Sequence, residues 1–227
     1  MSDITNEETL NSKATKITIG INLLGVLIAV WMVAYPEPYW LATTSGMLFP
    51  LLYMVIVVLY KGLIRFNTSS FAFIACSLVL MIRAVKDFEI LDYERLWISV
   101  SLLTIFLMAS LITLSSEFSF KTKGGLVIIL SSLFIFLYSF GLYTLSNCLF
   151  DQSKARTFTT SIANKQITNG TKSTTYHLYL NAWGSKEGKD HVTVTADQYD
   201  TSTIGDNVDI ELKSGWLGTP WYSISIQ

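Results

Sequence analysis

Charge is what this chain has least of. Asp, Glu, Lys and Arg make up 15% of its 227 residues, where a soluble domain carries about 25%. The formal net charge is −1. No basic surface exists to neutralise phosphates, which excludes nucleic acid as a partner. Two cysteines in 227 residues exclude a disulfide scaffold and a multi-cysteine zinc site. The two histidines, His177 and His191, lie in no HxxxH or HExxH spacing, and GxSxG, Walker A and GxGxxG patterns are missing. No catalytic, metal-binding or cofactor-binding constellation is expected.

What is abundant is apolar. Hydrophobic residues reach 51%, and mean hydropathy is +0.44. The charges cluster and leave five gaps: Ile17 to Pro36, Pro38 to Tyr60, Phe66 to Ile82, Leu96 to Ser116 and Gly124 to Phe150. A bilayer core is spanned by about 20 apolar helical residues. A chain of this size has too little polar surface to hide five such helices from water. The gaps therefore predict a membrane helix bundle with spans near 17–35, 41–60, 67–85, 96–115 and 125–149. The third gap is the shortest and reaches span length only if Arg83 snorkels.

The flanks fit this reading. Tyr35, Tyr39, Trp40 and Trp97 sit where amphipathic rings favour the headgroup level. Pro36-Glu37-Pro38 breaks both neighbouring helices and makes the first connection short. Pro50 falls inside the second span and predicts a kink. With a cytoplasmic N-terminus, that side receives Lys13, Lys16, Lys61, Arg65, Lys121 and Lys123, and the opposite side receives Arg83, Lys86 and Arg95, a modest positive-inside bias. Five spans then leave the C-terminus extracytoplasmic. The first apolar run is too long for a signal-peptide h-region, so an uncleaved anchor is expected. Residues 1–16 read as a polar, mobile tail.

After Phe150 the chain changes character. Residues 151–227 are rich in Thr, Ser, Asn and Asp, with period-two alternation. Strands are expected at Thr157–Ile167, Ser173–Trp183, His191–Thr195, Val208–Leu212 and from Tyr222 to the end. Asn169-Gly170 reads as a hairpin turn, Gly184–Gly188 as a second turn, and Ala196–Thr201 as a helical turn. Five short strands predict a small antiparallel β-barrel or sandwich close to the membrane.

Candidate functional residues fall in three places. The loop Gly215-Trp216-Leu217-Gly218-Thr219-Pro220-Trp221-Tyr222 combines aromatics with sharp-turn residues. Trp216, Leu217, Trp221 and Tyr222 are therefore interface candidates, either facing a partner or filling the barrel. Inside the bundle, Asn22 is the clearest mid-span polar side chain, with Gly20 and Gly25 allowing close helix approach. Arg83 is the only charge near bilayer depth. The run Lys86 to Arg95 carries Asp87, Glu89, Asp92 and Glu94, read as a solvated loop rather than a cation site. Cys76 and Cys148 read as ordinary apolar packing.

The segments Ala34-Tyr35-Pro36-Glu37-Pro38-Tyr39-Trp40, Gly205-Asp206-x-Val208 and Gly215-x-Leu217-Gly218-x-Pro220-Trp221-Tyr222 resemble an uncharacterised family of bacterial multi-pass membrane proteins with a small C-terminal β domain. That resemblance brings no assigned activity and no site residues. The expected function is a non-enzymatic bacterial inner-membrane protein. Its membrane-proximal β domain would bind a protein partner or support a membrane complex, one version being immunity to a membrane-active toxin. The alternatives are a small channel or transporter, with Asn22, Arg83 and the acidic loop lining a path, and a membrane-embedded enzyme. Membrane lipid and one protein partner are the expected contacts.

Overall fold

The computed structural model describes residues 2–59, 66–114, 125–170, 174–184, 186, 188 and 190–226, with only the backbone for 2–11, 66–70 and 125–127. In chain order the elements are α1 (Ser2–Ala34), α2 (Tyr39–Leu59), α3 (Phe66–Asp87), β1 (Glu89–Ile90), α4 (Tyr93–Leu114) and α5 (Gly125–Leu149). They continue as β2 (Arg156–Asn169), β3 (Thr174–Leu180), β4 (Asp190–Val194), α6 (Ala196–Thr201), β5 (Asn207–Lys213) and β6 (Trp221–Ile226). These form two compact units. One holds residues 1–87 and 93–150, the other residues 88–92 and 151–227.

Among the described residues of the helical unit, four helices are long and apolar enough to cross a membrane: Ser12–Ala34 within α1, α2, α4, and Ile128–Leu149 within α5. Helix α3 lies where the third span was expected but is not among these four. Its packing gives a physical reason. Ala72, Phe73, Cys76, Ser77 and Leu80 are fully buried. A helix enclosed by other helices can carry polar groups that a lipid-facing helix cannot, because protein satisfies them. The Ser77 hydroxyl, for example, donates to the Phe73 carbonyl at 2.7 Å.

Three rungs tie α3 to α1. The Ala72 N–H donates to Asn22 Oδ1 at 3.1 Å. The Cys76 thiol donates to the Gly25 carbonyl at 3.3 Å. Arg83 Nε donates to the Met32 carbonyl at 2.9 Å. The residue offsets are 50, 51 and 51, so the two helices run parallel and in step. Small residues permit this approach. A Cβ on Gly25 would lie 2.5 Å from both Ala72 and Phe49; where α5 meets α3, one on Gly141 would lie 2.8 Å from the Leu80 carbonyl carbon. Gly20, expected to help, faces open space instead.

Pro50 lies inside α2 and offers no N–H to the preceding turn. The Tyr138 hydroxyl from α5 donates to the Met47 carbonyl in that turn at 2.6 Å, an example of a neighbouring helix satisfying backbone near a proline. Tyr53, Phe73 and Tyr138 meet through ring contacts of 5.8 and 5.9 Å and knit α2, α3 and α5 together.

The polar N-terminal segment, expected as a tail, continues α1 back to Ser2. Extending an existing helix adds one hydrogen bond per residue without a new nucleus. The acids Asp3, Glu7 and Glu8 precede Lys13 and Lys16, the order the helix dipole favours. Lys61, Arg65, Lys121 and Lys123, which carry most of the charge bias, lie outside the described residues.

The β unit is one antiparallel six-stranded sheet in the order β1-β6-β5-β2-β3-β4. It is a curled half-barrel rather than a closed barrel or two-sheet sandwich. Strand β2 causes the curl. Arg156 to Ser161 pair with β5, whereas Ile162 to Asn169 pair with β3 after a bulge between Ile162 and Asn164. A bulge bends its strand and increases the local twist. The concave face is filled by Ile162, Leu178, Leu180, Trp183, Val192, Val208, Ile210 and Tyr222.

All five expected strands are present, with a sixth, β1, contributed by the α3–α4 connection. The expected Asn169-Gly170 turn is longer than two residues. Asn169 pairs with Thr174, and residues 171–173 lie outside the described ones. Helix α6 starts on a capping box in which Thr195 and Gln198 satisfy each other's backbone N–H.

Candidate functional site

The aromatic loop divides into buried and exposed halves. Trp221 and Tyr222 begin β6 and are 8% and 3% exposed, whereas Trp216 and Leu217 are 60% and 38% exposed. The buried half is structural. Tyr222 meets Trp183 edge-on at 4.9 Å, and its hydroxyl donates to Asp190 Oδ2 at 3.0 Å. Trp221 meets Phe88 edge-on at 5.3 Å. These two candidates are thus core residues, because the strand starts earlier than the loop pattern implied.

The exposed half sits on a tight turn. The Gly218 N–H donates to the Gly215 carbonyl at 3.0 Å. Gly215 and Gly218 have φ of +77° and +82°, values that a side chain would strain. Asp151 fixes the base of this turn. Its carboxylate accepts from the Gly215 N–H at 2.9 Å, from Trp221 Nε1 at 2.8 Å and from the Ser153 N–H at 2.8 Å. Burial opposes ionisation there, but the bonds from Ser153, Trp221 and Gly215 outweigh it and hold the carboxyl below its usual range. The Ser214 N–H donates to Ser153 Oγ at 3.2 Å. Trp216 and Leu217 are therefore presented on a braced turn.

Asp151 was not among the residues singled out in the sequence. Asp-x-Ser is a local Asx-turn signal, but the partners of Asp151 lie 64 and 70 residues away, beyond the reach of pattern reading.

The acidic run is dispersed rather than convergent. Asp87 ends α3, Glu89 belongs to β1, Asp92 follows it, and Glu94 lies in the first turn of α4. The expectation of a simple solvated loop gives way to a strand. Glu89 pairs with Tyr222 and Ile90 with Trp221, and the Leu91 N–H donates to the Pro220 carbonyl at 2.9 Å. Burial and the Asp190 carboxylate raise the Glu89 carboxyl above its ordinary value, against the pull of Lys186 and His191. Lys186 pairs with Asp190 at 2.8 Å. Among the described residues no group of three His, Cys, Asp or Glu is placed to hold a metal ion.

Arg83 and Asn22 both act on helix backbone. Arg83 caps the C-terminal end of α1 through Met32 and reaches Asp87 at 3.4 Å. The Tyr39 hydroxyl donates to the same carboxylate at 2.6 Å. Asn22 is spent on the Ala72 N–H. These contacts join α3 to α1.

His177 and His191 lie side by side on the outer face of β3 and β4, with ring centroids 5.6 Å apart. Register explains this: His177 pairs with Thr193 and Tyr179 with His191, so both side chains share one face. Cys76 and Cys148 are free and buried.

The fold and site define a class: among the described residues, a helical unit with four membrane-length apolar helices, and a small curled β unit. No family model, curated protein or solved structure matches this chain.

Proposed function

We propose that this chain is a non-enzymatic bacterial inner-membrane protein whose extracytoplasmic β unit binds a protein partner through Trp216 and Leu217. One observation carries the reading. A tryptophan and a leucine stand adjacent and exposed on a turn whose base is held by Asp151. Rigid aromatic presentation is what a binding hot spot uses, since little conformational freedom remains to be lost on contact. Immunity to a membrane-active toxin is one specific form of such binding.

Five spans are part of the proposal. The parallel, in-step packing of α3 on α1 supports α3 crossing alongside a helix of span length. The pairing of β1 with β6 supports placing the α3–α4 connection and the C-terminal segment on one side. Consecutive spans α4 and α5 would do the same. The positive-inside bias favours the outer side.

A photo-crosslinking residue placed at 216 in cells tests the reading, with the exposed position 204 as control. A discrete protein adduct at 216 and none at 204 supports it. Equal adducts at both, or only lipid adducts at 216, would overturn it.

A further inference from the structure

The chain has two histidines, His177 and His191, and the fold brings them together. Strand register sets His177 opposite Thr193 and Tyr179 opposite His191. The two imidazoles are therefore diagonal neighbours on one face of the sheet, a separation that long side chains reach across. Their ring centroids are 5.6 Å apart. Two imidazoles on one ion, with metal–nitrogen bonds of about 2.0–2.1 Å, have centroids between about 4.5 Å apart (at 90°) and about 6.4 Å apart (at 180°). The observed spacing lies inside that window, so rotation of the side chains brings both rings onto one ion without moving a strand.

Both rings are braced from the side. Thr193 Oγ1 lies 3.4 Å from Nδ1 of His177. With that hydroxyl accepting from Nδ1–H, the Nε2 lone pair is left for an ion. Tyr179 packs against His191 with centroids 5.7 Å apart, and its hydroxyl is fixed by donating to Gln166 Oε1 at 2.7 Å. His191 is exposed and His177 half-buried, so ions in solution reach the pair. Among the described residues no third His, Cys, Asp or Glu completes a cage, which leaves the remaining positions to water. Neutral imidazole suits Cu2+ and Zn2+, whereas Mg2+ and Ca2+ take oxygen ligands. We propose that His177 and His191 bind one exchangeable divalent transition cation, Cu2+ or Zn2+, on the outer face of β3 and β4. The inference is independent of the partner reading and of the membrane topology above.

Titration of the metal-free full chain, purified in detergent without a histidine tag, tests it with Cu2+, Zn2+ and Mg2+. One Cu2+ per chain should bind, and pulsed electron paramagnetic resonance should show two imidazoles on it. Zn2+ should compete for the same site less tightly than Cu2+ binds, in the order of the divalent series, and Mg2+ should not compete. His177→Gln and His191→Gln should each weaken Cu2+ binding by about tenfold, equivalent to 1.4 kcal/mol, and leave one imidazole in the signal. Two Cu2+ per chain with one imidazole each overturn the proposal, as does unchanged affinity in either variant or competition by Mg2+. If a variant fails to fold, the imidazole count on the wild-type chain decides: two support the site, and one or none overturns it.

Discussion

The two units give the same observation opposite meanings. In the helical unit, exposed large apolar side chains are routine and run the length of α1 at Ile19, Leu23, Leu27, Val30 and Val33. In the β unit, the exposed ones among the described residues are Ile167, Ile204, Trp216 and Leu217, and only the last two are neighbours. Exposure carries information only relative to the solvent. Against lipid tails an exposed leucine is at home, while against water an adjacent Trp-Leu pair calls for a function. The units also satisfy polar groups differently. The bundle turns Asn22, Cys76 and Tyr138 onto helix backbone. The β unit gathers Asp151 and Asp190 into bonds that hold strands and turns together.

Substitutions can break or sharpen this contrast. The largest effect is expected from Leu27→Asp, on the exposed face of α1, which should cost about 3 kcal/mol in a membrane-insertion assay. Insertion without penalty would mean that face does not meet lipid. Gly141→Ala comes next. Its Cβ would press on the Leu80 backbone, and overpacking should lower stability in detergent by about 2 kcal/mol. Gly20→Ala, facing open space, should leave thermal unfolding unchanged.

In the β unit, Asp151→Ala should release the turn. Hydrogen exchange at Gly215 should then speed up while amides in β3 keep their protection. The carboxyl of Asp151 is held low in the native state, so its contribution is present above the ordinary Asp pKa and lost as pH falls through the native value. The wild-type turn should therefore loosen in acid in the same way.

Glu89→Gln runs in the opposite sense. The native state holds the Glu89 proton more tightly than the unfolded chain does. Its contribution is fully present below the ordinary Glu pKa of about 4.3 and lost as pH rises through the native value. Glu89→Gln should raise the Tm near neutral pH, and the gain should vanish in acid. The smallest effect is expected from Trp216→Ser. It should change unfolding free energy by less than about 0.5 kcal/mol while removing the protein adduct of a photo-crosslinking residue placed at 217.

Much of the architecture was legible in the sequence, because its signals are local. Charge-free runs marked the helices, and period-two alternation marked Val208-Asp209-Ile210-Glu211-Leu212 within β5. What was missed depends on long-range pairing. A two-residue strand such as Glu89-Ile90 has no period to detect and exists through its pairing with Trp221 and Tyr222. The low apolarity of α3 becomes intelligible only once its neighbours are known. At the candidate site, Gly and Pro spacing located the turn, but not which aromatics it buries, since that depends on Asp151 and Phe88 far away in sequence.

The central proposal is that the α3–α4 connection and the β unit lie on the same, outer side of the membrane. Impermeant maleimide labelling in intact cells tests it, using single cysteines at Glu94, Asp200 and Lys123 in a background of Cys76→Ala and Cys148→Ala. Glu94→Cys and Asp200→Cys should label together from outside, and Lys123→Cys only after permeabilisation. Labelling of positions 94 and 200 from opposite sides would contradict the claim.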